Sequence, residues 1–320
     1  MCTRPHHLSL PAFLAIAAPV FGQGLDEARD ELAREIQRSD IGTGYAQMLS
    51  MFLDRSVSLS RLEVKDYRDN DEMDILKVPL RYDLPIENSD WKLALRGTLS
   101  HSRYSSRTYL EDNDYLDAEW RADSGQLGLG LIFPWGEHWS ATAVGEAGLS
   151  RLKNTADYRG PLIEALAPLL DGVLVNWDTD VAVYSIRSGL DYDRMHGYRS
   201  GYRIKARYSY SKIRSFSESS DLPPLRADTQ TATLSGEFRH PWGMDVGVFP
   251  LFGIVNAGAT TFLGDDRDAL GFKYYYQAGY SVALDFSAST AWIKTVSIGY
   301  QWNQGDNVSG QSLLINWELR

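Results

Sequence analysis

The sequence has little cysteine, an excess of acidic over basic side chains, and no long apolar run. Its single cysteine, Cys2, excludes an internal disulfide and a cysteine-rich metal site. With 32 Lys and Arg against 42 Asp and Glu, the formal charge is −10, which excludes nucleic acid as the expected partner because neutralising phosphates needs a basic surface. The lack of any apolar run of roughly 18 residues excludes helical membrane spans as the main architecture. At 43% hydrophobic residues, a disordered chain is excluded as well.

The first 22 residues have the features of an export signal. Arg4 precedes the apolar stretch 8–20, and the small residue Gly22 suits cleavage by signal peptidase. The apolar stretch is too short to span a bilayer, so an anchor helix is the weaker alternative. We therefore expect export of the chain, removal of residues 1–22 as a signal peptide, and a mature protein that begins near Gln23.

The segment that follows has the periodicity of a helix. Its apolar residues recur at spacings of three, four and four, at Leu25, Ala28, Leu32 and Ile36. This spacing places them on one stripe and predicts a helix over Leu25 to Gln37. The residues from there to Phe52 have no clear period. We therefore treat 23–55 as an N-terminal helical segment, distinct from the rest of the chain.

From about residue 56 onward, apolar residues alternate with polar ones in runs bounded by turn residues, which is the pattern of β-strands. Twelve runs are predicted, near 56–65, 74–83, 91–104, 115–133, 138–152, 177–193, 198–213, 228–239, 246–262, 270–286, 290–302 and 310–319. Several exceed the mode of about five or six residues in soluble sheets, whereas a tilted strand of about 9–11 residues crosses a bilayer. The predicted fold class is therefore all-β: a transmembrane antiparallel up-and-down β-barrel of about twelve strands over 56–320, with a short N-terminal helix.

The lengths of the predicted connections support a membrane barrel. From the third strand onward long and short connections alternate, as in the short 134–137, the long 154–176 and the short 194–197. Short periplasmic turns and longer external loops are typical of outer-membrane barrels. This interpretation places both termini in the periplasm.

Tryptophan placement is the second support. The predicted aromatic girdle consists of Trp91, Trp135, Trp139, Trp242, Trp292, Trp302 and Trp317, all near predicted strand ends, and Trp177 also falls at the outer rim. Aromatic girdles mark the two membrane interfaces of such barrels. The alternative is that aromatic residues simply favour strand ends and cores.

Charged residues share the faces opposite the tyrosine-rich stripes. If the stripes meet lipid, the lumen-facing charged residues are Lys92, Arg96, Glu146, Arg187, Arg203, Lys205, Arg207, Glu237, Lys273, Asp285 and Glu318. Asp191 with Arg203, or Arg187 with Asp193, are candidate ion pairs, and individual hydration is the alternative. A twelve-stranded barrel leaves room for a helix about 10–12 Å across. The N-terminal segment is therefore a candidate lumen plug, and a periplasmic position is the alternative.

The long tyrosine-rich strands and the closing hairpin, which runs from Val296 through Gly305 and Asn307 to Trp317, resemble the solitary outer-membrane autotransporter-like β-barrel family. The resemblance covers most of the mature chain. It implies the translocator half of an autotransporter without an exported passenger, located in the outer membrane of a Gram-negative bacterium. The expected partners are outer-membrane lipid, lipopolysaccharide and the barrel-assembly machinery. A pore and a surface scaffold are the two roles considered.

Two rival functions remain open. An outer-membrane hydrolase needs a nucleophile beside a base, and His101, close to Ser100 and Ser102, is the one histidine near the predicted external rim. No family motif surrounds it, so we predict no enzyme and no catalytic residue. A soluble secreted protein that binds carbohydrate through its tyrosines is the other rival.

Acidic residues gather in the predicted external loops and are candidates for divalent cations between lipopolysaccharide phosphates. They are Asp69, Asp71, Glu111, Asp112, Asp114, Asp265, Asp266 and Asp268. None has the spacing of a defined calcium loop. We therefore predict no metal and no cofactor, and we expect solvated loop tips.

Overall fold

The computed structural model describes residues 24–38, 41–51, 57–65, 70–111, 113–196, 199–216, 224–264, 267–288 and 293–319. Twelve strands lie within them: β1 (Val57–Val64), β2 (Asp71–Pro85), β3 (Lys92–Glu111), β4 (Asp114–Pro134), β5 (Trp139–Arg159), β6 (Trp177–Met195), β7 (Gly201–Ser215), β8 (Arg226–Val246), β9 (Phe249–Leu263), β10 (Tyr274–Asp285), β11 (Ile293–Gly305) and β12 (Val308–Leu319). Each strand pairs antiparallel with its neighbours in sequence, and β1 pairs with β12 to close the barrel. The predicted fold class is confirmed. The proposed signal peptide lies outside the described residues.

Three helices accompany the barrel in the described ranges: α1 (Leu25–Arg38), α2 (Ile41–Ser50) and α3 (Pro161–Leu170). The sequence predicted α1 from its apolar stripe. It did not predict α2, because residues 42–50 are buried on every side and a helix without a polar face has no amphipathic period. Within the described part of the chain, none of the helices combines the length and the apolar character that crossing a membrane requires.

Side chains alternate across the wall of the barrel, because successive residues of a strand point to opposite faces. In β1, Ser58 and Ser60 are buried on the inner face, whereas Leu59 and Arg61 are exposed on the outer face. The outer face carries many exposed apolar residues, and Leu127 is 75% exposed. An apolar band of this kind matches the hydrocarbon layer of a membrane.

The strands at one end of the barrel are longer than the sequence predicted. The stretch 105–114, expected as a long loop, is instead strand: β3 runs to Glu111, β4 starts at Asp114, and Tyr109 pairs with Tyr115. The prediction was wrong because polar residues occupy both faces here, which hides the alternation. On the outer face, for example, Arg107 Nε lies 2.6 Å from an Asp117 carboxylate oxygen.

The two ends of the barrel differ. We call the end that carries α3 and the connection 160–176 the loop end, and the end that carries Leu319 and the connections 86–91 and 135–138 the turn end. At the loop end, the Arg29 guanidinium of α1 donates hydrogen bonds to the backbone carbonyl groups of Pro168 (2.5 Å) and Asp171 (2.9 Å). The first described helix and the last strand residue therefore lie at opposite ends of the barrel.

Candidate functional site

Helix α2 fills the half of the lumen nearer the loop end, which we call the loop half. It packs in one apolar cluster with inward-facing side chains from strands around the barrel: Leu62, Met73, Ile75, Tyr104, Leu152, Trp177, Val181, Ile213, Phe262 and Val308. Strands lining a water-filled lumen carry polar inner faces. The inner faces here are apolar because they contact a helix.

Tyr45 is at the centre of this contact. Its ring centroid lies 6.1 Å from that of Trp120 and 5.8 Å from that of Trp177, and its hydroxyl donates to the backbone carbonyl of Lys153 at 3.3 Å. Trp177 is only 4% exposed. Its expected place at the outer rim was wrong: it belongs to the inner face, where an aromatic side chain packs against α2.

Polar groups contact the carboxyl-terminal half of α2. The backbone N–H of Leu270 donates to Oε1 of Gln47 at 3.2 Å. The Lys77 ammonium, on a side chain 3% exposed in β2, donates to the backbone carbonyl of Met51 at 2.9 Å. A cation at this position also interacts favourably with the carboxyl end of the helix dipole. Sequence reasoning missed Lys77, although the alternation in the predicted strand 74–83 would have placed it on the inner face.

The half of the lumen nearer the turn end, the turn half, is charged. Of the predicted lumen-facing residues, those on inward positions of their strands are Lys92, Arg96, Glu146, Arg187, Arg203, Lys205, Arg207, Glu237, Asp285 and Glu318. Lys273 lies elsewhere: it precedes β10 and its ammonium is 3.6 Å from Asp268 at the loop end. Besides Lys77, the inner face also carries Arg81, Asp83 and Arg239, which the sequence analysis did not single out.

Charged side chains in the turn half pair with each other. Arg203 lies 2.7 Å from Asp193 and Arg207 lies 2.6 Å from Asp191. Arg187 pairs with Glu146 at 2.7 Å, across the other edge of its strand. The expected pairs, Asp191 with Arg203 and Arg187 with Asp193, are therefore wrong, because the register places Asp193 directly opposite Arg203.

Arg239 joins strands that are not neighbours. Its side chain is 2% exposed, and it contacts Glu237 of its own strand and Glu318 of β12, the latter at 2.6 Å. Strands β8 and β12 are separated by three others. The Arg239–Glu318 pair therefore spans part of the lumen and connects the closing strand β12 to β8.

The predicted girdle tryptophans lie on the outer face of the barrel. Trp91, Trp135, Trp139, Trp242 and Trp317 are exposed near the turn end, and Trp302 is exposed nearer the loop end. Trp292 lies outside the described residues. The tryptophans therefore border the apolar band on both sides.

The outer face carries one His–Asp pair. His101 Nδ1 lies 2.6 Å from Asp123 Oδ1, and both side chains are exposed. Ser100 and Ser102 flank His101 in β3 and so project to the opposite face of the wall. On the outer face of the same strand the next residues are Leu99 and Arg103, so the pair has no hydroxyl beside it.

The acidic residues of the loop end contact protein groups. Asp114 accepts hydrogen bonds from the N–H groups of Leu162 (2.7 Å) and Ile163 (3.3 Å) at the start of α3, and Asp71 accepts one from Tyr104. Asp69, Asp112, Asp265 and Asp266 are outside the described residues, as is the side chain of Glu111. Among the side chains that are described, no group of three or more His, Cys, Asp or Glu could hold a metal ion.

Comparison with known proteins agrees with this architecture. A sequence profile described as the solitary outer membrane autotransporter beta-barrel domain matches residues 63–319. The fold is similar to the translocator domain of the autotransporter NalP from Neisseria meningitidis, with a TM-score of 0.55 and 11% identity over 88% of this chain and 95% of that one. It is also similar to the transport unit of the autotransporter AIDA-I from Escherichia coli, with a TM-score of 0.51 and 11% identity over 87% and 97%. At such identities the likeness concerns the fold alone. No match was found among curated proteins.

Proposed function

The chain belongs to the solitary outer membrane autotransporter β-barrel domain family, as its closing hairpin suggested, and we propose that it acts as a closed, non-enzymatic scaffold in the Gram-negative outer membrane. In this proposal α2 plugs the lumen, and α1 and α3 form a platform at the cell surface. The observation that carries the proposal is the filled loop half of the lumen.

A plugged lumen explains why the inner face of the barrel is apolar around α2 and charged in the turn half. Apolar side chains surround Tyr45, which is 2% exposed, and an ion that enters such surroundings loses its hydration at a high free-energy cost. The turn half, in contrast, is charged and opens at the turn end. The protein would therefore present a recess to the periplasm and a closed surface to the outside.

The orientation follows from general properties of these barrels. Their short turns face the periplasm and their longer extensions face outward, so the loop end is assigned to the cell surface. The contact of Arg29 with the carbonyl groups of Pro168 and Asp171 supports a position of α1 outside the membrane. Removal of the signal peptide would leave a mature N-terminus on the surface.

Residues on the outer face support both the proposed lack of catalysis and the expected partners. The His101–Asp123 pair lacks a neighbouring hydroxyl, which a serine hydrolase requires. The exposed apolar band and its flanking tryptophans suit outer-membrane lipid and lipopolysaccharide. Assembly of such a barrel implies contact with the barrel-assembly machinery.

Cysteine labelling of intact cells tests the proposal. Glu27→Cys places a thiol on exposed α1 and Glu87→Cys places one in the connection 86–91; Cys2, the only natural cysteine, lies in the predicted signal. A maleimide that does not cross membranes should label Glu27→Cys in intact cells and Glu87→Cys only after lysis. Labelling of Glu87→Cys alone in intact cells would reverse the orientation and overturn the proposal.

A further inference from the structure

The turn half of the lumen contains a cavity of about 70 Å³ beneath α2. Five cationic side chains and one carboxylate line it: Lys77, Arg81, Arg96, Arg187, Arg207 and Glu146. Hydroxyl groups of Thr98, Thr142, Thr231 and Thr233 complete the wall. Since about 10–15 Å³ of such volume admits one water molecule, the space admits a ligand of several heavy atoms.

The carboxylates in this half do not balance the cations. Inward strand positions in the turn half carry nine basic side chains, Lys77, Arg81, Lys92, Arg96, Arg187, Arg203, Lys205, Arg207 and Arg239, and seven acidic ones, Asp83, Glu146, Asp191, Asp193, Glu237, Asp285 and Glu318. Two positive charges remain however the groups are paired. The cavity wall itself contributes five basic side chains and one carboxylate, Glu146, although Arg96, Arg187 and Arg207 each contact a carboxylate, those of Asp83, Glu146 and Asp191. Burying uncompensated charge is unfavourable, so the cavity favours a bound anion.

Two guanidinium groups at the cavity each have a buried N–H donor without a hydrogen-bond acceptor. Arg96 pairs with Asp83 through Nη1 at 2.6 Å, and its side chain is only 8% exposed, yet its Nη2 is buried without a hydrogen-bond partner. Arg187 pairs with Glu146 through Nη2, and its Nε is likewise buried without a partner. Guanidinium groups bind tetrahedral oxyanions through several short, charge-assisted hydrogen bonds.

We propose that this cavity is a binding site for a small tetrahedral oxyanion of the phosphate class, either as the free ion or as the phosphate group of a small solute. The ligand enters from the turn end. A larger recess at that end shares Pro79, Arg81 and Thr142 with the cavity. Its lining includes five basic side chains, Arg81, Lys92, Arg203, Arg239 and Lys294, and four carboxylates, Asp83, Asp191, Asp193 and Glu318. On the other side, the Lys77–Met51 hydrogen bond closes the path toward α2. This inference goes beyond the proposed function, since binding is measured whether or not the barrel is plugged.

Calorimetric titration of the full-length protein in a neutral detergent tests the site, with sodium phosphate as the probe and chloride as the background anion. Wild type should bind phosphate saturably. Arg96→Gln should weaken binding at least about tenfold, because a charge-assisted hydrogen bond is lost. Glu146→Gln should strengthen binding severalfold, because it removes the one carboxylate in the cavity wall. Arg61→Gln, which alters an exposed pair with Asp74 on the outer face, should leave binding unchanged.

The opposite effects of Arg96→Gln and Glu146→Gln separate a binding role from a structural one, since damage to the wall would weaken binding in both variants. Heat-modifiable gel mobility checks that each variant is folded. A parallel titration with a hexose phosphate identifies the source: tighter binding than inorganic phosphate assigns the site to a phosphorylated solute, and weaker binding assigns it to the free ion. The absence of saturable binding of both probes to wild type overturns the proposal, as does a loss of phosphate binding in Glu146→Gln.

Discussion

The Lys77 ammonium of β2 donates a 2.9 Å hydrogen bond to the carbonyl oxygen of Met51, the residue that follows α2. This contact joins the barrel wall to the carboxyl end of the plug helix. The apolar side chains around Tyr45 hold α2 from the sides, whereas Lys77 satisfies a backbone group at its lower end. The position of α2 therefore depends on one charged contact and one apolar cluster, which can be tested separately.

Lys77→Met tests the charged contact. Methionine is of similar length but has no hydrogen-bond donor. Docking of α2 should therefore weaken by up to about 1.5–3 kcal/mol, and the loss is reduced by the cost of burying the ammonium, which the variant avoids. We expect brief openings in planar bilayers that wild type does not show. Lys153→Met, which alters an exposed lysine of β5, is the matched control and should stay closed. Equal conductance of the two variants would show that the Lys77 hydrogen bond does not hold α2 in place.

Tyr45→Ala tests the apolar cluster. Truncation of a buried aromatic side chain costs about 3–5 kcal/mol, so amide hydrogen exchange over 41–51 should accelerate by about two to three and a half orders of magnitude, at about 1.4 kcal/mol per tenfold. Tyr45→Phe loses only the hydrogen bond to Lys153 and should accelerate exchange about tenfold at most. Similar exchange in both variants would show that the ring packing does not hold α2.

Arg239→Met tests the bridge across the turn half. Removing the cation leaves Glu237 and Glu318 buried without it, which costs about 3–5 kcal/mol in comparable networks. The variant should lose its compact gel mobility at a lower temperature than wild type. Adding Glu237→Gln should restore part of the difference, because one uncompensated carboxylate is then neutral. If the double variant is less stable than Arg239→Met, the contacts do not act as a charge network.

Asp114→Ala tests how α3 is held at the loop end. Asp114 accepts hydrogen bonds from the first N–H groups of this helix, and loss of such a cap costs about 0.5–2 kcal/mol. Hydrogen exchange over 161–170 should accelerate while exchange over α2 stays unchanged. Asp117→Ala, which removes an exposed partner of Arg107, should change exchange at α3 little, because exposed pairs contribute about 0–1 kcal/mol.

The barrel could be predicted from the sequence because its central strands combine apolar outer faces with polar or small inner faces. Positions such as Lys205 between Ile204 and Ala206 alternate clearly. The strand extensions at the loop end could not be predicted, since Arg107 and Asp117 pair on the outer face and make both faces polar.

The position of α2 and the pairing of the charged side chains depend on contacts between residues that are far apart in the sequence. Local sequence patterns do not reveal such contacts. The inner face of β6 carries the buried residues Val181 and Val183. From the sequence alone, such apolar residues would be assigned to the lipid-facing side, because their contact with α2 is not visible there. The partner of Arg203 depends on strand register: Asp193 lies opposite Arg203, and a shift of two residues would place Asp191 there instead.

Single-channel conductance in planar bilayers tests the plug most directly. Full-length protein should insert and stay closed, whereas deletion of residues 24–51 should give a stable conductance. That conductance should favour anions, because basic side chains outnumber acidic ones along the turn half. A steady open conductance of the full-length protein, or silence of a deletion variant that still shows the gel mobility of a folded barrel, would contradict the account.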